Sequence, residues 1–109
     1  MDESEFTRLA EQTLQEIDRR IEASGLDADC EFKGTGVLEI EFGDGSRIIV
    51  NSQVAAREIW VAAKSGGYHY RSDGGRWINT RDGTELFAAL SAYVSQQAGE
   101  TVKLVTGKG

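Results

Sequence analysis

Residues 11–31 hold the densest set of groups in this chain that are able to do chemistry. Glu11, Gln15, Asp18 and Glu22 recur at intervals of three and four. At about 100° per residue they fall on one stripe of a helix. Asp27, Asp29 and Glu31 then alternate with Ala28, Cys30 and Phe32. That is the period of a strand, with its three carboxylates pointing one way. Carboxylate oxygens suit hard metal cations, and a row of them attracts a basic protein surface. A solvated helix face carries charge in the same manner, and acids on an edge strand also block edge-to-edge aggregation. The adjoining second row separates this pattern from a simple charged face. No soft ligand accompanies the acids, so a metal taken here is held weakly at an exposed site.

A second group centres on Trp60. Ile59 and Val61 flank it and point to the opposite side of a strand. If those two meet the core, Trp60 lies on the outer face near Asn51 and Gln53. A tryptophan exposed beside amides reads as a protein contact, whereas the opposite phase makes it core. His69 is the sole histidine and lacks a paired histidine or cysteine motif for a metal, so a structural role is expected between Tyr68 and Tyr70. The single cysteine, Cys30, is expected to pack inward. No nucleophile stands beside a base, and Gly34-x-Gly36 reads as a turn rather than a phosphate loop. Paired carboxylates need a pocket for acid–base work, and these sit on a helix shoulder. The pattern is that of a binding protein and not an enzyme.

The elements that position these groups follow from periodicity. Phe6, Leu9, Ala10, Thr13, Leu14, Ile17 and Ile21 mark an amphipathic helix over 4–23, with Ser4 as N-cap and Gly25 as stop. Strands are expected over 26–32, 37–42, 46–51, 58–63, 68–71 and 76–79, with a loop at 52–57 and glycine turns at 34–36, 43–45 and 66–67. Asp82-Gly83-Thr84-Glu85 resembles a capping box opening a second helix over 84–98, with Gly99 just past its end. Residues 100–104 are expected to be extended, and 106–109 to form a flexible tail. Helix, six strands, helix with tight turns implies an α+β two-layer sandwich. Both helices would lie on one face of a six-stranded antiparallel sheet, leaving the other face open.

Composition narrows the partners. The net charge of −6 is unevenly spread: residues 1–45 carry 13 acids against 4 bases, and residues 46–109 carry 5 against 8. An acidic surface argues against nucleic acid and against anionic membranes, and it favours cations or a basic protein. A lone cysteine suits a reducing compartment. An acidic beginning without an apolar run is unlike a signal or transit peptide, so a cytoplasmic protein is expected.

Several motifs in this order resemble the frataxin family, in its bacterial members. They are Ser4-Glu5-Phe6 followed by Arg8-Leu9-Ala10, then Asp29-Cys30-Glu31, and then Gly43-Asp44-Gly45-Ser46 followed by Ile48-Ile49-Val50-Asn51. The most specific are Trp60 followed by Ala62-x-Lys64-x-Gly66-Gly67-Tyr68-His69, and Gln96-Gln97-Ala98-Gly99-Glu100-Thr101-Val102. The resemblance covers residues 1–105 and implies a frataxin-like domain of that extent. It implies an accessory, regulatory protein of iron–sulfur cluster assembly that weakly binds ferrous or ferric iron. The acids implied are Glu3, Glu11, Asp18, Glu22, Asp27, Asp29 and Glu31. It also implies docking on a cysteine desulfurase and on the cluster scaffold protein, with Asp18, Glu22, Asn51, Gln53 and Trp60 as contacts. A monomer is implied in the absence of iron. Iron storage with ferroxidase activity is the alternative, but the Glu-x-x-His helices of a buried di-iron site are missing. The chain departs from the bacterial pattern at Thr7, where a histidine is usual, at Arg19 and Ala23, where acids are frequent, and at Ala55, where proline is usual. The segment after Gly25 is also short.

Overall fold

The computed structural model describes residues 1–104; the tail expected at 106–109 lies outside the described residues. The first helix, α1, spans Glu3–Ala23 and buries Phe6, Ala10, Leu14, Ile17 and Ile21. Its N-cap is Asp2 and not Ser4. Asp2 holds the extended backbone a cap requires, and its carboxylate accepts from the Glu5 amide at 2.8 Å. Ser4 is already inside the helix. A carboxylate also complements the positive end of the helix dipole, where a hydroxyl does not. The helix ends at Ser24, and Gly25 follows with φ +74°, a conformation glycine adopts without strain.

Six strands follow: β1 (Ala28–Phe32), β2 (Val37–Phe42), β3 (Arg47–Gln53), β4 (Glu58–Ala63), β5 (Gly66–Asp73) and β6 (Arg76–Asn79). They pair in sequence order, every neighbour antiparallel. β1 starts two residues later than the alternation implies, because the Ala28 amide closes a turn on the Leu26 carbonyl at 2.9 Å. β3 runs on to Gln53, so the expected loop shortens to the turn at 54–57. β5 takes in Gly66 and Gly67, which pair with Ala63 and Ala62, and the turn falls on Lys64-Ser65 instead.

The second helix, α2, spans Leu86–Ala98 and starts two residues later than the capping-box pattern suggests. Glu85 is still extended and bridges to Ile78, and its own carboxylate caps the helix by accepting from Phe87 and Ala88. The Asp82 carboxylate is spent on the Thr84 amide in the preceding turn. Gly99 ends the helix with φ +73°. Past it, Val102 and Leu104 return to the core, tied to α2 by the Ser95 and Ser91 hydroxyls.

Both helices lie on one sheet face. Leu38, Ile40, Ile48, Val50, Ile59, Val61 and Tyr70 point at them and are fully or almost fully buried. Phe6 meets Trp77 edge-on at 5.9 Å, and the Trp77 indole donates to Thr13 at 2.8 Å. The intervening strand positions make the opposite face, which nothing covers among the described residues.

Candidate functional site

The acidic stripe of α1 overhangs β1, and β1 is the edge of the sheet. Asp18 and Glu22 line a cleft of about 230 Å³ together with Asp29 and Cys30. Cys30 alternates inward as expected but stays half-buried, because an edge strand has a neighbour on one side only. Burial, followed by the charge of Asp18, pushes the thiol up to about 12. The negative potential that the stripe implies is therefore felt inside the cleft.

Beyond β1 the charge turns the corner onto the open face. Asp29 pairs with Glu41 across the β1–β2 ladder, and Glu31 pairs with Glu39. Direct cross-strand partners share a face, and like charges there repel. Arg47 on β3 lies within 3.4 Å of Glu39 and 3.7 Å of Glu41, and Lys33 within 3.3 Å of Glu31. Glu39 and Glu41 are thus members of the ridge that spacing along one strand did not nominate. Their own alternation put them on one face, but only the register of β2 against β1 shows that they extend the acidic row.

The remaining nominated acids are more dispersed. Glu3 opens α1, Glu11 lies half-buried midway along it, and Asp27 is exposed in the link before β1. Among the described residues no three His, Cys, Asp or Glu side chains converge closely enough to hold a metal ion. Glu16, which was not among the nominated acids, stands apart from the cleft: Arg20 and then Arg19 bond to it on the other shoulder of α1 and hold its carboxyl below the ordinary carboxylate value. Arg19, an apparent loss of negative charge, is thereby spent on a neighbour away from the cleft.

The open face carries the second group. Asn51 pairs with Trp60, and Trp60 with His69, in one row across β3, β4 and β5; Gln53 pairs with Glu58 in the next row. Ile59 and Val61 are buried under the helices, so Trp60 faces outward. Its ring stacks on the His69 imidazole at 4.3 Å and 7°. Its Nε1 donates to Glu58 Oε1 at 2.8 Å, and Arg71 donates to the other Glu58 oxygen at 2.7 Å. The indole hydrogen bond, followed by the Arg71 contact, outweighs burial and lowers the Glu58 carboxyl from its ordinary value. Glu58 and Arg71 were absent from the sequence-based candidates. Glu58 is two residues before Trp60 and so shares its strand face, but Arg71 reaches it only through the β4–β5 register.

The model for the Frataxin-like domain matches residues 1–100 of the chain. The chain belongs to the frataxin family. It is 55% identical over 107 residues to the iron-sulfur cluster assembly protein CyaY of Cupriavidus metallidurans, covering 95% of this chain and 96% of the relative. Among solved structures it is similar to frataxin from Psychromonas ingrahamii, with a TM-score of 0.89 and 37% identity over 96% of this chain and 99% of that one. Trimeric frataxin from Saccharomyces cerevisiae, solved complexed with ferrous, matches with a TM-score of 0.63 and 25% identity over 82% of this chain and 80% of that one. The frataxin fold is therefore the sandwich that periodicity implied, and the two surfaces described here are the acidic edge and the open sheet of that fold. No helix among the described residues is long and apolar enough to cross a membrane.

Proposed function

We propose that this frataxin acts by binding, as an accessory and regulatory protein of cytoplasmic iron–sulfur cluster assembly. It docks on a cysteine desulfurase through the acidic ridge and modulates its activity. The observation that carries this reading is the 55% identity, over nearly the whole chain, to a protein named for iron-sulfur cluster assembly. The geometry supports the choice of surface. Asp18, Glu22 and Asp29 gather around one cleft, and Glu31, Glu39 and Glu41 continue the charge around the sheet edge. A basic partner groove closing over an edge strand meets carboxylates on both sides of it, which favours encounter and fixes register.

Iron is a ligand of the same ridge, ferrous or ferric and weakly held. The yeast relative solved with ferrous supports iron as the cation. The lack of a converging ligand set among the described residues favours hydrated ions held by one or two carboxylates each, because oxygen-rich, exposed sites bind hard cations without a cage. The open face, with Asn51, Gln53 and Trp60, serves the scaffold protein. The protein is a monomer when iron-free.

The test is to titrate isotope-labelled protein with the purified desulfurase and follow its amide signals. Perturbation centred on 18–31 and on Glu39 and Glu41 supports the ridge. Perturbation centred on Trp60 and His69, with the ridge silent, overturns it.

A further inference from the structure

Trp60 is held in place before any partner arrives. Its ring and that of His69 are almost parallel with centroids 4.3 Å apart, and the two residues are direct partners on adjacent strands. Adjacent strands run about 4.8 Å apart. Rings stacked along that direction must stand upright from the sheet, presenting an edge outward. The stack by itself leaves the indole free to slide along the strand. Glu58 removes that freedom, because it shares the strand face and its Oε1 takes the indole proton at 2.8 Å. Glu58 is itself fixed: it is 7% exposed, Arg71 donates to its second oxygen at 2.7 Å, and His69 Nδ1 lies 3.5 Å from the first. A carboxylate buried this far is held by its partners and cannot be a passive surface charge.

We infer that Glu58 is a positioning residue for Trp60, locking the indole upright on the open face so that a partner meets a preformed edge. The inference rests on the reading that Trp60 contacts the scaffold protein. Ordering a free side chain on binding costs affinity, and a side chain ordered in advance avoids that loss. Removing the lock should weaken scaffold binding by about three- to tenfold. The oxygen of glutamine still accepts from the indole, so Glu58→Gln should stay near wild type, while leucine cannot accept.

The experiment compares wild type, Glu58→Leu, Glu58→Gln and Trp60→Ala. Two readouts are used: scaffold-protein affinity, and the Trp60 indole Nε1–H NMR signal, assigned by its loss in Trp60→Ala. The expected result is an upfield shift and faster hydrogen exchange of that signal in Glu58→Leu with affinity reduced about three- to tenfold, and both near wild type in Glu58→Gln. If Trp60→Ala weakens binding but Glu58→Leu alters neither readout, the positioning role is overturned and the contact stands. If Trp60→Ala binds as wild type does, the contact reading falls and the inference with it.

Discussion

Glu31 and Glu39 are direct partners across the β1–β2 ladder, two carboxylates on one sheet face at the edge of the protein. A chain selected for stability alone would place opposite charges there. We expect Glu31→Gln or Glu39→Gln to raise the melting temperature by roughly 1–4 °C, since a like-charge pair is mildly destabilising and this domain is small. Salt or divalent cations should produce a similar rise in wild type and a smaller one in the variants. Asp29→Asn and Glu22→Gln should act in the same direction. Thermal melts at low and moderate salt check this; unchanged midpoints would show that Arg47 and Lys33 already neutralise the ridge.

The Cys30 thiol offers a pH signature. It is raised from 9.0 to about 12 by burial first and by Asp18 next. A group raised on folding stabilises the protein at pH values below its unfolded value and loses that contribution as pH climbs through the folded one. Stability should therefore fall between about pH 9 and 12 in wild type, and less steeply in Cys30→Ala. Below pH 9 the thiol should react sluggishly with alkylating reagents, and Asp18→Asn should accelerate it. Alkylation rates followed by mass spectrometry decide this, and a rate equal to that of a free thiol at pH 8 would rule out the described environment.

Gln97 tests how the sheet is fastened to α2. Its buried amide accepts from the Lys64 amide at 2.9 Å and donates to Ser46 Oγ and the Arg47 carbonyl. Gln97→Leu strips three bonds and leaves Lys64 N–H unmet. We expect a loss of about 2–3 kcal/mol and a melting point lower by roughly 10 °C or more. Chemical denaturation checks it, and a loss under 0.5 kcal/mol would mean that water replaces the amide freely.

Much of this was legible in the chain itself. Strict alternation in Val37–Phe42 fixed β2 to the residue, because one of its faces is fully buried and the other is not. The flanks of Trp60 offered two phases, and the burial of Ile59 and Val61 chose the outward one. Helix starts were less legible: Asp2 and Glu85 cap where Ser4 and the Asp82-to-Glu85 capping box looked suitable, since capping depends on which residue is still extended and not on residue type alone. The candidate site was half legible. Asp18, Glu22 and Asp29 followed from period, whereas Glu39, Glu41, Glu58 and Arg71 required cross-strand register, which spacing within one strand does not carry.

Iron should perturb the cleft before the open face. In a titration with ferrous or ferric iron we expect the first paramagnetic broadening at Asp18, Glu22 and Asp29, with weak affinity and with other hard cations competing. Broadening that begins at His69 would place the metal on the open face and remove iron from the ridge.

The most direct test of the ridge as a docking surface is the affinity of the purified cysteine desulfurase for wild type, for the double reversal Asp18→Lys with Glu22→Lys, and for Trp60→Ala, each at low and physiological salt. Neither Asp18 nor Glu22 belongs to the buried stripe of α1, so the double reversal should keep the fold. Exposed charges are screened beyond about 8–10 Å at physiological salt, so wild-type binding should weaken as salt rises. The double reversal should bind at least tenfold more weakly at low salt, as expected when close charge pairs of about 1.5 kcal/mol or more turn repulsive, while Trp60→Ala stays near wild type for this partner. A double reversal that binds as tightly as wild type, with no dependence on salt, would contradict the account.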